Sequence, residues 1–154
     1  MESYFFDTSG LAKRYIEESG SAWVSSICKK ANSDLIFIAD ITEVELVSAL
    51  IRRGKGGSLT KDEVESSLVR FDIDLSNQYI VFGFSFSLIS SARILVESYA
   101  LRGYDAVQLA VAIECNKERI LLGFSSVIFV SSDSELIDAA KNEGLMVENP
   151  DNYP

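Results

Sequence analysis

Apolar residues along this chain follow two rhythms. YFF (4–6), LIFIA (35–39), YIVFGF (79–84), VIFV (127–130) and LMVEN (145–149) are short runs in which most positions are apolar. Runs of that kind predict strands buried on both faces, as in a parallel sheet, with YIVFGF at an edge. Between them apolar residues recur at helical spacing. Leu11, Ala12, Tyr15 and Ile16 predict a helix over 8–17, which Gly20-Ser21 breaks. Trp23, Val24, Ile27 and Cys28 predict a second through about Ala31. DITEVELVSALIRR (40–53) is a third, and Thr60 with Glu63 opens a fourth at capping-box spacing. Three more follow over 87–102, 104–115 and 132–144, the middle one dense in small and apolar residues and therefore deeply buried. Strands alternating with helices of this length predict a parallel sheet covered on both sides. One domain over 1–149 accounts for all of them, with 150–154 a loose tail. The glycine-rich stretch 54–58 reads as a mobile loop and lacks the spacing of a phosphate-cradling motif.

Composition narrows the chemistry more than the fold. The 154 residues are 47% hydrophobic and 24% charged, enough to bury a core. No apolar run is long enough for a membrane span, and the first residues form no leader, so the cytoplasm is the expected compartment. Cys28 and Cys115 stand far apart in apolar contexts, as buried free thiols do. Histidine is absent. That excludes Ser-His-Asp and Cys-His catalysis and histidine-bearing zinc sites, leaving Asp and Glu to carry acid–base or metal chemistry. The net charge of −9 disfavours non-specific nucleic-acid binding. It leaves room for a nucleic-acid enzyme whose site holds divalent cations.

Four acids stand at comparable junctions. Asp7 ends the first strand, Glu43 opens the helix after the second, Asp105 opens the buried helix YDAVQLA, and Asp133 opens the helix after VIFV. In an open parallel sheet the carboxyl ends of the strands and the following helix starts share one edge, where ligands bind. Asp105 joins the other three only if its helix starts there. Each acid also has an ordinary explanation, because acids favour first helical turns. Ser132 with Glu135, and Thr42 with Glu45, have capping-box spacing around Asp133 and Glu43. Thr8 and Ser9 are able to cap the first helix, leaving Asp7 free. Clustered carboxylates need a cation to stay ionised, and an all-oxygen donor set suits Mg²⁺ or Mn²⁺. Such a site polarises a phosphodiester and activates a water for hydrolysis. RNA, DNA and small phosphate esters all remain open as substrates at this point.

The segments FFDTSGLAKRYIEESGS, ITEVELVSALIRR, LRGYDAVQLAVAIE and VIFVSSDSELIDAAKNEGLMVENP, in this order, cover nearly the whole chain. Together they resemble the PIN-domain family, and within it the VapC-like toxins of toxin–antitoxin pairs. The resemblance implies an α/β, PIN-like three-layer fold with a parallel five-stranded sheet between helices. It also implies homodimers, a cognate antitoxin, and Mg²⁺-dependent cleavage of RNA, with Mn²⁺ as a substitute. On the same ground Asp7, Glu43 and Asp105 match the carboxylates that hold the ion. Asp133 matches a fourth, which acts through water or on a second ion. Thr8 or Ser9, and Ser131, match hydroxyls that steady these acids, and Lys13, Arg14 and Arg102 are candidates for phosphate contacts. Two departures stand out: Gln108 after the Asp105-Ala106 pair, where the family often carries His or another polar residue, and the acidity of the chain. They keep a second reading in view, a weak or silent PIN-like module that binds RNA or a protein. A receiver-like phosphoacceptor domain is set aside because no acid ends YIVFGF.

Overall fold

All five apolar runs form strands: β1 (Ser3–Phe6), β2 (Leu35–Ala39), β3 (Tyr79–Phe82), β4 (Ile128–Val130) and β5 (Met146–Glu148). The computed structural model describes residues 1–30 and 33–154. The sheet is parallel throughout in the order β3-β2-β1-β4-β5, so β1 is central and β3 lies at an edge. Helices α1 (Thr8–Ala12), α2 (Ser21–Lys29), α3 (Ile41–Lys55) and α4 (Lys61–Asn77) belong to the first half of the chain. Helices α5 (Leu88–Tyr99), α6 (Gly103–Leu121) and α7 (Ser134–Asn142) belong to the second.

The pleat of β1 explains why its residues are apolar without interruption. Phe5 faces a core formed with Phe37, Phe129 and residues of α5, α6 and α7. Tyr4 and Phe6 face the opposite core, with Ile36, Ile38 and residues of α1 to α4. Successive strand side chains point to opposite faces, so a sheet covered on both sides needs apolar residues at every position. Phe5 and Phe129 stack across β1 and β4 with centroids 6.1 Å apart. Both cysteines are free and buried, and burial pushes the Cys28 thiol up to about 11 and Cys115 to about 12. Among the described residues no helix is long and apolar enough to cross a membrane.

Several boundaries differ from the sequence expectation. Helix α1 stops at Ala12, and the next residue, Lys13, turns inward to pair with Glu18 and Asp151. Helix α2 ends at Lys29; its expected end at Ala31 lies outside the described residues. Helix α3 runs through Gly54 to Lys55 instead of ending in a loop. A Cβ on Gly54 would sit 2.8 Å from Val64 Cγ2, so glycine there lets α3 approach α4. The last residues are docked rather than loose. Pro150 is buried, Lys13 Nζ lies 2.8 Å from Asp151, and Trp23 stacks on Tyr153 at 4.7 Å.

Candidate active site

The carboxyl ends of β1 and β4 and the first turns of α1, α3, α6 and α7 surround a cleft of about 280 Å³. Asp7, Glu45, Asp105 and Asp133 line it, with Thr8, Ser9 and Gln108 between them. Asp7 follows the central strand and is buried. Its Oδ1 accepts hydrogen bonds from the Gly10 N–H and the Ser9 hydroxyl, both at 2.8 Å. Its Oδ2 accepts from Ser131 Oγ at 2.9 Å. Asp7 is therefore the N-cap of α1, and Ser9 supports it instead of replacing it as the cap.

Burial pushes the Asp7 carboxyl up to about 7, against the opposing pull of the Gly10, Ser9 and Ser131 donors. Asp105 is also raised, first by burial and then by the neighbouring charges of Asp133 and Glu45, while Arg102 lowers it. Asp133 caps α7, its Oδ1 accepting from the Glu135 and Leu136 N–H groups at 2.9 and 3.1 Å. Ser132, expected to be that cap, instead leaves its buried hydroxyl without a partner among the described residues. Ser131 joins the two acids: while donating to Asp7, its Oγ accepts the Asp133 N–H at 3.1 Å.

The acid supplied by α3 differs from the expected one. Glu43 is exposed and lines a separate surface depression with Val44, Val47 and Ile51. Glu45 turns into the cleft instead, where its Oε1 accepts from Thr8 Oγ1 at 3.0 Å and Gln108 Nε2 at 2.8 Å. Gln108 is almost fully buried and also reaches Thr42 Oγ1 at 2.8 Å and Thr8 Oγ1 at 3.0 Å. The residue that departs from the family pattern thus holds Glu45 with a neutral donor. A pair at i and i+4 shares one helix flank: Glu45 and Ala49 line the cleft from one side, and Glu43 and Val47 line the depression on the other.

Two of the three basic candidates are occupied elsewhere. Lys13 is buried between Glu18 and Asp151 and donates to the Ser19 carbonyl at 2.7 Å. Arg14 pairs with Asp74 at 2.9 Å, and Tyr15 donates to the same carboxylate at 2.6 Å beside Tyr79. Arg102 remains exposed at the start of α6, close enough to lower the Asp105 carboxyl.

Among the described residues no group of three or more Asp, Glu or Cys side chains stands arranged to hold a metal ion. Asp7, Glu45 and Asp133 are held by hydroxyl, amide or backbone donors, and none of the ion pairs involves a cleft acid. The chemistry of the donor set nevertheless fits a hard divalent cation: four carboxylates around one cleft, a buried one among them, and none of them ion-paired among the described residues.

The wall behind Asp7 leaves no spare volume. A Cβ on Gly10 would lie 2.8 Å from the Val130 carbonyl oxygen and 3.3 Å from Val130 Cγ1. Backbone cannot yield as a side chain does, so Gly10→Ala is expected to push α1 off β4. A destabilisation of about 1–3 kcal/mol should follow, read by urea denaturation.

No protein-family model matches the chain, and no curated protein matches it. Solved structures do, and they define its class: a three-layer α/β protein of PIN-like fold. Among them is the VapBC2 complex of Rickettsia felis bound to a DNA fragment from their promoter. It matches at 20% identity and TM-score 0.61, over 96% of this chain and 98% of that one. The PAE2754 protein of Pyrobaculum aerophilum matches at 20% identity and TM-score 0.63, over 95% and 83%. FitAcB of Neisseria gonorrhoeae matches at 15% identity and TM-score 0.60, over 96% and 97%.

Proposed function

We propose that the protein is a Mg²⁺-dependent endoribonuclease of the PIN-domain, VapC-like type, the toxin of a toxin–antitoxin pair acting in the cytoplasm as a homodimer. The observation that carries this reading is the cleft itself, which Asp7, Glu45, Asp105 and Asp133 line together, none of them ion-paired among the described residues. The PIN-like fold shared with the VapBC2 structure supports the antitoxin partner. Asp7, Glu45 and Asp105 would hold the ion, with Asp133 at its margin. Mg²⁺, or Mn²⁺ in its place, supplies the Lewis acidity that activates water and polarises the phosphodiester.

The residues of the chain do the rest. Ser9 and Ser131 fix the Asp7 carboxylate, and Gln108 and Thr8 fix Glu45, so that neither acid pays for reorientation when it engages a cation. Arg102, near enough to lower the Asp105 carboxyl, would meet a phosphate.

Among the described residues no three acids converge as metal ligands, which favours a second reading, a weak or silent module that binds RNA or a protein. One assay separates the two. Unstructured RNA incubated with the protein and Mg²⁺ or Mn²⁺ is expected to be cut, and EDTA is expected to stop cleavage. Binding of RNA with no cleavage under either metal would favour the silent module.

A further inference from the structure

A second depression, of about 490 Å³, opens beside the acid cleft and shares Glu45 and Ala49 with it. Its other walls are Ile41, Val44, Ser48 and Arg52 on α3, and Tyr104 on α6. Three features decide what it suits. Tyr104 is 67% exposed and lines this depression together with Glu45 and Ala49, the two residues that the acid cleft shares. Arg52 is exposed, and among the described residues it makes no ion pair. It follows Glu45 by seven residues, two turns along the same flank of α3, which places it about 10 Å from that acid along the helix axis. Ser48 and Ala49, between them, are small and leave the floor open.

An aromatic face next to the acids, a small-residue floor and a cation farther along suit a planar base followed by a phosphate. An apolar helix would leave the exposed Arg52 unpaired against it. We propose that this groove is a nucleobase subsite for single-stranded RNA. The base beside the cleaved phosphodiester stacks on Tyr104, and a neighbouring phosphate lies against Arg52. This rests on the ribonuclease reading of the adjoining cleft.

The experiment measures binding of a fluorescent, unstructured RNA by anisotropy alongside its cleavage. The parent, Tyr104→Ala, Tyr104→Phe and Arg52→Gln are compared. Both positions are exposed, so the fold is not at stake. Tyr104→Ala is expected to weaken binding roughly tenfold, as loss of one base stack does, and Tyr104→Phe to recover most of it. A series of RNAs each carrying one abasic residue is expected to include one that binds parent and Tyr104→Ala alike. Arg52→Gln should lower the slope of log affinity against log salt by about 0.7. A parent that cleaves RNA while Tyr104→Ala binds it with unchanged affinity would overturn the subsite and leave the ribonuclease reading standing. A parent that binds RNA without cleaving it would overturn the ribonuclease reading, and the same variants would still decide the groove. A parent that binds no RNA overturns both. Sedimentation showing that Tyr104→Ala splits a dimer would assign the face to a second copy and overturn the proposal.

Discussion

Asp7→Asn is expected to abolish metal-dependent RNA cleavage while making the metal-free protein more stable at pH 8. The two effects share one cause. Asp7 is buried, and without a cation its carboxyl is pushed up to about 7 from the ordinary 3.8. Between those values the folded state holds a proton that the unfolded chain has already lost. The stabilisation is therefore complete below about pH 4 and is lost as pH rises through about 7. A shift of this size corresponds to roughly 2–4 kcal/mol for a fully buried carboxyl. Thermal denaturation in EDTA should show the parent losing several degrees between pH 5 and pH 8, with the variant much flatter. The amide occupies the same volume, and Ser131 can turn its hydroxyl to accept from it. Cleavage is expected to fall at least about a hundredfold, because a neutral amide is a poor ligand for a hard cation. Equal pH dependence in the two proteins would show that Asp7 does not carry the buried charge.

The second large effect separates two glutamates two residues apart. Glu45→Gln is expected to reduce cleavage by at least about a hundredfold, and Glu43→Gln to leave it within about twofold. Glu45 lines the cleft and is held by Thr8 and Gln108, whereas Glu43 faces solvent over a different depression. Steady-state cleavage of one RNA by both variants checks this. The reverse order of effects would restore Glu43 as the acid supplied by α3.

That pair also marks where the sequence was legible. The strands could be read because a parallel sheet between two helix layers needs apolar residues on both sides, as Phe5 and Phe6 show in facing different cores. Asp7, Asp105 and Asp133 could be placed because each opens a helix at the carboxyl edge of that sheet. Spacing misled where one residue type serves two purposes. Thr42 and Glu45 fit a capping box, but Asp40 caps α3, leaving Glu45 to line the cleft and the buried Thr42 to accept from Gln108. Which flank of α3 faces α1 depends on strand order and crossover hand, and the wheel of a single helix contains neither. The small Ala49 one turn after Glu45 was the local signal for that flank.

Capping does not remove a side chain from the cleft. Asp7 and Asp133 both cap helices and line it, so a capping role does not decide against the chemical one. Lys13 and Arg14 show the opposite failure. Candidates for phosphate contacts, they are instead paired with Asp151 and Asp74, residues 138 and 60 positions away, which no local pattern reveals.

The central claim is that the cleft acids form a divalent-cation site. Titration of Mn²⁺ into the protein at pH 8, followed by the loss of its free-ion EPR signal, tests it most directly because cleavage plays no part. Saturable binding is expected for the parent and for Glu43→Gln, and loss of that binding in Asp7→Asn and Glu45→Gln. Equal Mn²⁺ binding by the parent and Asp7→Asn, or none by the parent, would contradict it.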